Sequence, residues 1–273
     1  MAKDFLEKFE SISAFQRAIN SRETEEFYKE RMSSKVGSKE FTNTESYEEA
    51  ENLLSYGDKK AVAKLVECNG KRMNETKKNT IYNSPIGLYN SPIGFVPNIP
   101  NYLSGRPDNM FAIKTQTYKS CKVLNVCVNS AVSFKTGLKD IIAFNQKLLN
   151  VVYTLEKRGY RLNLYVGVVA EYAKSGNIGA CFIKVKDSGK LLNVTSVAYP
   201  LCNASFLRRH FFKWVETNGK TFAKSYGCIA PRYKSEKVIK QLFRNTHNIS
   251  LIITSDMLNY SESEIMNVIL NDK

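Results

Sequence analysis

Lys122–Val128 (KVLNVCV) and Arg161–Ala170 (RLNLYVGVVA) are short, near-continuous apolar runs. A strand that is apolar on both faces belongs in the middle of a sheet covered by helices on either side. Between the two runs, Leu138, Ile141, Leu148, Leu149, Val152 and Leu155 recur at helical spacing within residues 134–158, and Gly159 follows as a helix terminator. Parallel strands need a crossover of this length, and a helix supplies it. The stretch therefore sets the class as α/β.

The alternation continues towards the C-terminus. Residues 180–185 (ACFIKV) read as a third strand, Asp187-Ser188-Gly189 as a turn, and 191–198 (LLNVTSVA) as a fourth strand returning antiparallel to the third. A helix is expected over about 204–216, with Phe206, Leu207, His210, Phe211 and Trp214 on one face. Residues 227–231 (GCIAP) suit a short strand. Ser235 is placed to cap a helix carrying Val238, Ile239, Leu242 and Phe243. Residues 249–254 (ISLIIT) form a further buried strand, and Ser261 with Glu264 makes a capping box for a last helix. The expected fold is a mixed, mainly parallel sheet flanked by helices, with 122–128, 161–170 and 249–254 as its central strands.

Towards the N-terminus the pattern breaks. Tyr82-Asn83-Ser84-Pro85-Ile86-Gly87-Leu88 is followed by Tyr89-Asn90-Ser91-Pro92-Ile93-Gly94-Phe95, a tandem repeat, and five of the seven prolines lie between 85 and 107. Proline lacks a backbone donor, so neither regular helix nor central strand is expected there. Ile86, Leu88, Ile93, Phe95 and Val96 favour an extended arm packed on something over a solvated linker. Upstream, residues 69–80 read as an exposed basic loop and 58–68 as a short helix. Ser46 with Glu49 opens another helix that Gly57 closes. Phe5, Phe9, Ile12 and Ile19 recur at helical spacing. The expected organisation is an N-terminal helical segment (1–80), a Pro/Gly-rich arm (81–118) and an α/β domain (119–273).

The chain of 273 residues carries a net charge of +14, unevenly distributed. Residues 1–56 hold 8 Lys/Arg against 12 Asp/Glu, a net −4. Residues 208–247 hold Arg208, Arg209 and Lys213, then Lys220 and Lys224, then Arg232, Lys234, Lys237, Lys240 and Arg244, against Glu216 and Glu236 alone. Such asymmetry implies an acidic partner, either nucleic acid, an acidic protein or the chain's own N-terminal region. Phe212, Tyr226 and Tyr233 lie among these bases, where aromatic rings could stack on nucleic-acid bases. The six cysteines include no C-x-x-C pair, which argues against a zinc ribbon or thioredoxin-type site and for buried thiols in a reducing cytoplasm. No apolar run approaches the roughly 20 residues that span a bilayer, and the N-terminal MAKDFLEKFE lacks a signal core, so no membrane partner is expected.

The residues of catalysis are sparse. His210 sits on an apolar helix face and suits a packed neutral imidazole, while His247 precedes a strand. Gly219-Lys220-Thr221 mimics the end of a phosphate loop, but Trp214 stands where that loop needs its first glycine. Asp140, Glu156, Glu171, Asp187 and Asp256 share no spacing signature. No catalytic residue, and no cofactor, is assigned.

The order of strand, polar turn, long helix, buried strand and a later strand ending in Thr254-Ser255-Asp256 resembles the von Willebrand factor A-type fold. That family binds a divalent cation through D-x-S-x-S at the end of its first strand. Here Asn129 stands in place of the Asp and Ala131 in place of the first Ser; Ser133 matches, and Asp256 is displaced by one position from the family's later acidic residue. The resemblance therefore implies the fold with a degenerate site at Asn129, Ser133 and Asp256 that holds no metal, because hard cations need charged oxygen ligands. Asn129 and Ser133 are expected instead to cap the following helix. The whole chain also resembles an uncharacterised family of tailed-bacteriophage proteins, through Ser46-Tyr47-Glu48-Glu49-Ala50, the run Pro97–Pro107 and Phe206-Leu207-Arg208-Arg209. Together these imply a non-catalytic, phage-encoded interaction protein that binds a protein partner in the host cytoplasm. The alternative is a basic nucleic-acid-binding protein of phage replication or packaging.

Overall fold

The computed structural model describes residues 4–29, 32–76, 86–94, 96–115, 122–172, 176–218, 226–244, 246 and 248–271. In chain order they form β1 (Phe5–Phe9), α1 (Ile12–Ser21), the short helices α2 (Glu26–Lys29), α3 (Ser33–Val36) and α4 (Lys39–Thr42), then α5 (Tyr47–Tyr56) and α6 (Lys59–Thr76). Next come β2 (Ile86–Ser91), β3 (Val96–Pro97), α7 (Ile99–Leu103) and β4 (Met110–Thr115). The chain continues with β5 (Val123–Asn129), α8 (Leu138–Lys157), β6 (Arg161–Tyr172), β7 (Asn177–Lys186) and α9 (Val194–Cys202). A π-helical segment, Phe206–Phe211, runs into α10 (Phe212–Glu216), followed by β8 (Cys228–Ile229), α11 (Arg232–Leu242), β9 (Ile249–Ile253), α12 (Thr254–Met257) and α13 (Glu262–Asn271). Two compact units result, residues 1–68 with 122–273, and residues 69–121.

The larger unit is α/β. Its sheet runs β1-β7-β6-β5-β9, with β8 paired to β6, and it is mixed and mostly parallel, with helices on its flanks. β5 lies parallel to both β6 and β9, while β7 returns antiparallel along β6. The crossover from β5 to β6 is α8, opened by Gly137 and followed by Gly159 at φ +91°. Gly167 in β6 is dictated by close approach, since a Cβ there would stand 2.2 Å from the Cys181 carbonyl oxygen and 2.3 Å from the Phe182 ring. One face of the sheet is buried with α8, α9 and the π-helical segment through residues such as Val126, Leu148, Val166, Tyr199 and Trp214. On the other face Cys127, Tyr165, Val169 and Phe182 pack with Val238, Ile239 and Phe243 of α11.

Four expectations are corrected here. Residues 249–253 do form a strand, yet β9 ends the sheet, and of the three expected central strands only 122–128 and 161–170 are central. β7 is the other interior strand, and its partners are β6 and the parallel β1. Phe5 and Phe9 lie in that β1, not in a helix: a spacing of four brings two residues to one face under either period, and helix α1 starts only after Ser11, whose hydroxyl accepts from Ala14 N at 3.1 Å. Residues 191–198 are not a strand. The Asp187 turn closes as expected, with Gly189 N donating to Oδ1 at 2.8 Å, but Asn193 then accepts from Ser196 N at 3.3 Å and opens α9, a helix whose residues Val197–Cys202 are all buried. Ser235 lies inside α11 and donates to Ala230 O at 3.4 Å; the helix begins three residues earlier, after Pro231.

The division into segments also differs from the expected one. The first 68 residues belong to the α/β unit, with Phe15, Ile19, Tyr28, Ala50 and Leu54 in its core. Helix α6 carries on through 69–76, which was expected as loop. The Pro-rich stretch is not an arm without regular structure: β2 and β3 flank β4 in a three-stranded antiparallel sheet. Pro97 lies on an edge strand and Pro100 in the first turn of α7, capped by Asn98, both positions that tolerate a missing backbone donor.

Candidate functional site

Each residue of the degenerate cation motif accepts a hydrogen bond from the chain itself. Asn129 ends β5 fully buried, and its Oδ1 accepts from Ala131 N at 3.2 Å and Val169 N at 3.1 Å, tying the end of β5 to β6. Ser133 Oγ accepts from Lys135 N at 3.3 Å, and Asp256 accepts from Ser255 Oγ at 3.0 Å on α12. Neither Asn129 nor Ser133 caps α8, whose N-cap is Gly137. Among the described residues no group of three or more His, Cys, Asp or Glu is placed to hold a metal ion. Of the carboxylates without a spacing signature, Glu156 pairs with Lys186 at 2.7 Å, Glu171 pairs with Lys234, and Asp187 pairs with Lys184.

The described basic residues do not form one surface. Arg208 and Arg209 are both buried, although an α-helix turns neighbours about 100° apart. The reason is that the π-helical segment is covered on its outer side by the chain from Ser33 to Thr44. Arg209 Nε donates to Thr44 Oγ1 at 2.6 Å, Nη1 to Ser34 O at 2.9 Å, and Nη2 to Thr44 O at 2.7 Å and Gly37 O at 3.1 Å. The N-terminal region thus meets this arginine with carbonyls and hydroxyls in place of an acid. Burial lowers the pKa of Lys213. Lys220, Lys224, the Gly219-Lys220-Thr221 motif and His247 lie outside the described residues. Arg232 and Lys234 are ion-paired, and Lys237, Lys240 and Arg244 stand exposed on and beyond α11. Phe212 and Tyr226 stack on each other at 4.5 Å, and the Tyr226 hydroxyl donates to Glu216 at 2.7 Å.

A cleft of about 350 Å³ opens at the carboxyl ends of β5 and β6, the end of a parallel sheet where ligands settle. Its walls are apolar: Val132 and Phe134 beyond β5, Ala170 in β6, Leu207 and Phe212 from the helical layer, and Tyr226 before β8. Phe134 at the rim is 81% exposed and touches Phe41, with ring centroids 5.3 Å apart. Into this wall the fold sets Arg208. Its guanidinium lies 4.1 Å over the Phe41 ring and donates once, from Nη1 to Phe41 O at 2.5 Å. Among the described residues Nη2 has no hydrogen-bond partner and no carboxylate pairs with the group. Burial accordingly lowers its pKa. Phe41 and Phe134 were not singled out in the sequence. The signal available was an aromatic side chain one residue past a degenerate polar motif, where a solvated loop would carry a polar residue.

Beside the cleft's helical wall His210 is buried, Nε2 3.3 Å from Glu51 Oε1 and Nδ1 3.1 Å from the Tyr199 hydroxyl. Desolvation lowers its pKa, so the imidazole is packed and neutral as expected. Among the described residues no helix is long and apolar enough to cross a membrane. A protein-family model described as a domain of unknown function (DUF7192) matches residues 2–262. No curated protein matches the chain, and no solved structure does.

Proposed function

The chain belongs to the DUF7192 family of unknown function, and we propose that it is a non-catalytic interaction protein whose α/β unit binds a protein partner at the cleft beyond β5 and β6. The observation that carries the reading is Arg208, a buried cation in an apolar wall with no carboxylate partner among the described residues. An uncompensated buried charge costs several kcal/mol, and an acidic group brought beside it offsets that cost. The partner therefore presents a large apolar side chain next to a carboxylate. Phe134 extends the apolar surface outside the cleft, which favours a protein over a small molecule. The likeness to tailed-phage proteins directs the search for the partner to phage and host proteins.

Peptides selected from a random library against the whole chain test this by fluorescence anisotropy. The expected peptides pair an acid with an aromatic or branched apolar residue and bind about tenfold or more weakly to Phe134→Asp, a rim substitution that leaves the core intact. Peptides without acids, or indifferent to Phe134→Asp, count against it. Duplex DNA binding that weakens steeply with salt and survives Phe134→Asp would instead support the nucleic-acid alternative.

A further inference from the structure

Among the described residues no strand pairs with the outer edge of β9 and no backbone hydrogen bond meets it, while β5 pairs with the other side. An unpaired edge is a row of donors and acceptors that templates another strand, and proteins blunt it where pairing is unwanted. Beside this edge lies a groove of about 610 Å³ between α11 and β9. Its floor is apolar, from Ile239 and Phe243 on the helix side and Ile249 and Leu251 on the strand. Along its lip Arg232, Glu236, Lys240 and Arg244 follow at four-residue spacing. Arg232 is neutralised by Glu236 at 2.9 Å. Lys240 and Arg244 are exposed and have no acidic partner among the described residues.

From this combination we infer that β9 and α11 form a second docking surface, which takes an extended acidic segment of a partner protein by strand addition. Main-chain bonds to the β9 edge supply affinity, and alternate side chains supply specificity. Residues of the added strand that face α11 meet Ile249, Leu251 and Phe243 below and Lys240 and Arg244 above, so that face carries apolar residues and acids. A second copy of the chain is the wrong occupant. Joining two β9 edges would set two Lys240–Arg244 stripes on one joined sheet, and like charges across strands repel. The surface is separate from the cleft of Arg208, so neither reading depends on the other.

The test uses the full chain and a short peptide of alternating Glu and Val, with the same peptide N-methylated at alternate residues and an alternating Lys and Val peptide as controls. Binding of the Glu peptide is expected, weakened about tenfold by N-methylation, which removes strand pairing while keeping the charge. Lys240→Glu with Arg244→Glu is expected to weaken it by a similar factor, with the Tm unchanged because both side chains are exposed. The Lys peptide is expected not to bind. Equal binding of the methylated and unmethylated Glu peptides, or indifference to the double substitution, would overturn the proposal. So would a single-stranded oligonucleotide that binds more tightly than the Glu peptide and displaces it, because phosphate would then be what the basic lip recognises.

Discussion

Arg209 donates to six oxygens, all between Ser34 and Thr44. Its guanidinium is a shared donor for oxygens of the short helices α3 and α4 and of the turns beside them, and a buried acceptor left without one costs about 1–3 kcal/mol. Arg209→Ala is expected to lower the unfolding free energy by about 3–5 kcal/mol, and Arg209→Lys to recover little of it, because an ammonium cannot reproduce the planar fork. Urea denaturation measures both, and a loss below about 1 kcal/mol for Ala would show the cage to be dispensable. At this scale the sequence was legible for His210, placed on an apolar helix face and found buried. The positive task of Asn129 was not legible, because Val169 N, its acceptor's second donor, is forty residues away and is set beside it only by the β5–β6 register. The two adjacent arginines were misread for a similar reason. Helical periodicity assigns one face to the core, and nothing in residues 206–216 announces that another stretch of chain covers the opposite face.

Among the elements, β5, α8 and β6 were read within a residue or a few of their ends, because each is long, apolar and internally consistent in period. Misreadings fell where two periods fit the same residues. Phe5 and Phe9 satisfy helix and strand alike, and 191–198 is apolar enough for either, since α9 is buried almost all round. The local signal that decides the second case is Asn193, an N-cap. Asn193→Ala is expected to cost about 1 kcal/mol, as loss of a capping oxygen does; the same substitution in a strand would be near neutral. Gly167 tests the pairing of β6 with β7. A methyl group there meets the Cys181 carbonyl, which is backbone and cannot swing aside. Gly167→Ala is expected to destabilise by about 1–3 kcal/mol through displaced strands. Thermal unfolding of the two variants reads both, and an unchanged midpoint for Gly167→Ala would contradict the register of these strands.

Over the whole molecule, the acidic N-terminal region and the basic remainder were visible as numbers, while the way they meet was not. Part of the meeting is Glu7, which pairs with Arg22 inside the N-terminal region and accepts from Trp214 Nε1 at 2.5 Å, joining β1 to α10. Another part is titratable. His210 of the π-helical segment, Glu51 of α5 and Tyr199 of α9 hold three separated stretches of chain around one buried imidazole. Desolvation depresses the His210 pKa. The unfolded chain therefore takes up this proton more readily than the folded one, so the site's contribution is complete above the ordinary histidine value of about 6.5 and is lost as pH falls below it. Burial alone would raise the Glu51 pKa, but hydrogen bonds from His210, Gln16 and Tyr47 outweigh it and hold the carboxyl at about 2. Its contribution is present above the ordinary glutamate value and is lost as pH falls towards about 2. Both groups thus weaken the fold on acidification, the histidine first. The thermal midpoint is expected to fall from about pH 7.5 to about pH 5.5, a window in which the histidine step sets in and the glutamate has not begun to protonate appreciably. His210→Gln, which keeps polar contacts without the titration, is expected to flatten the curve in that window and to leave the lower, glutamate-linked fall in place. A wild-type midpoint that is constant or rises as the pH is lowered through this window would mean that His210 accepts its proton inside the fold, and that the junction of α5 with the π-helical segment is held by a charged pair.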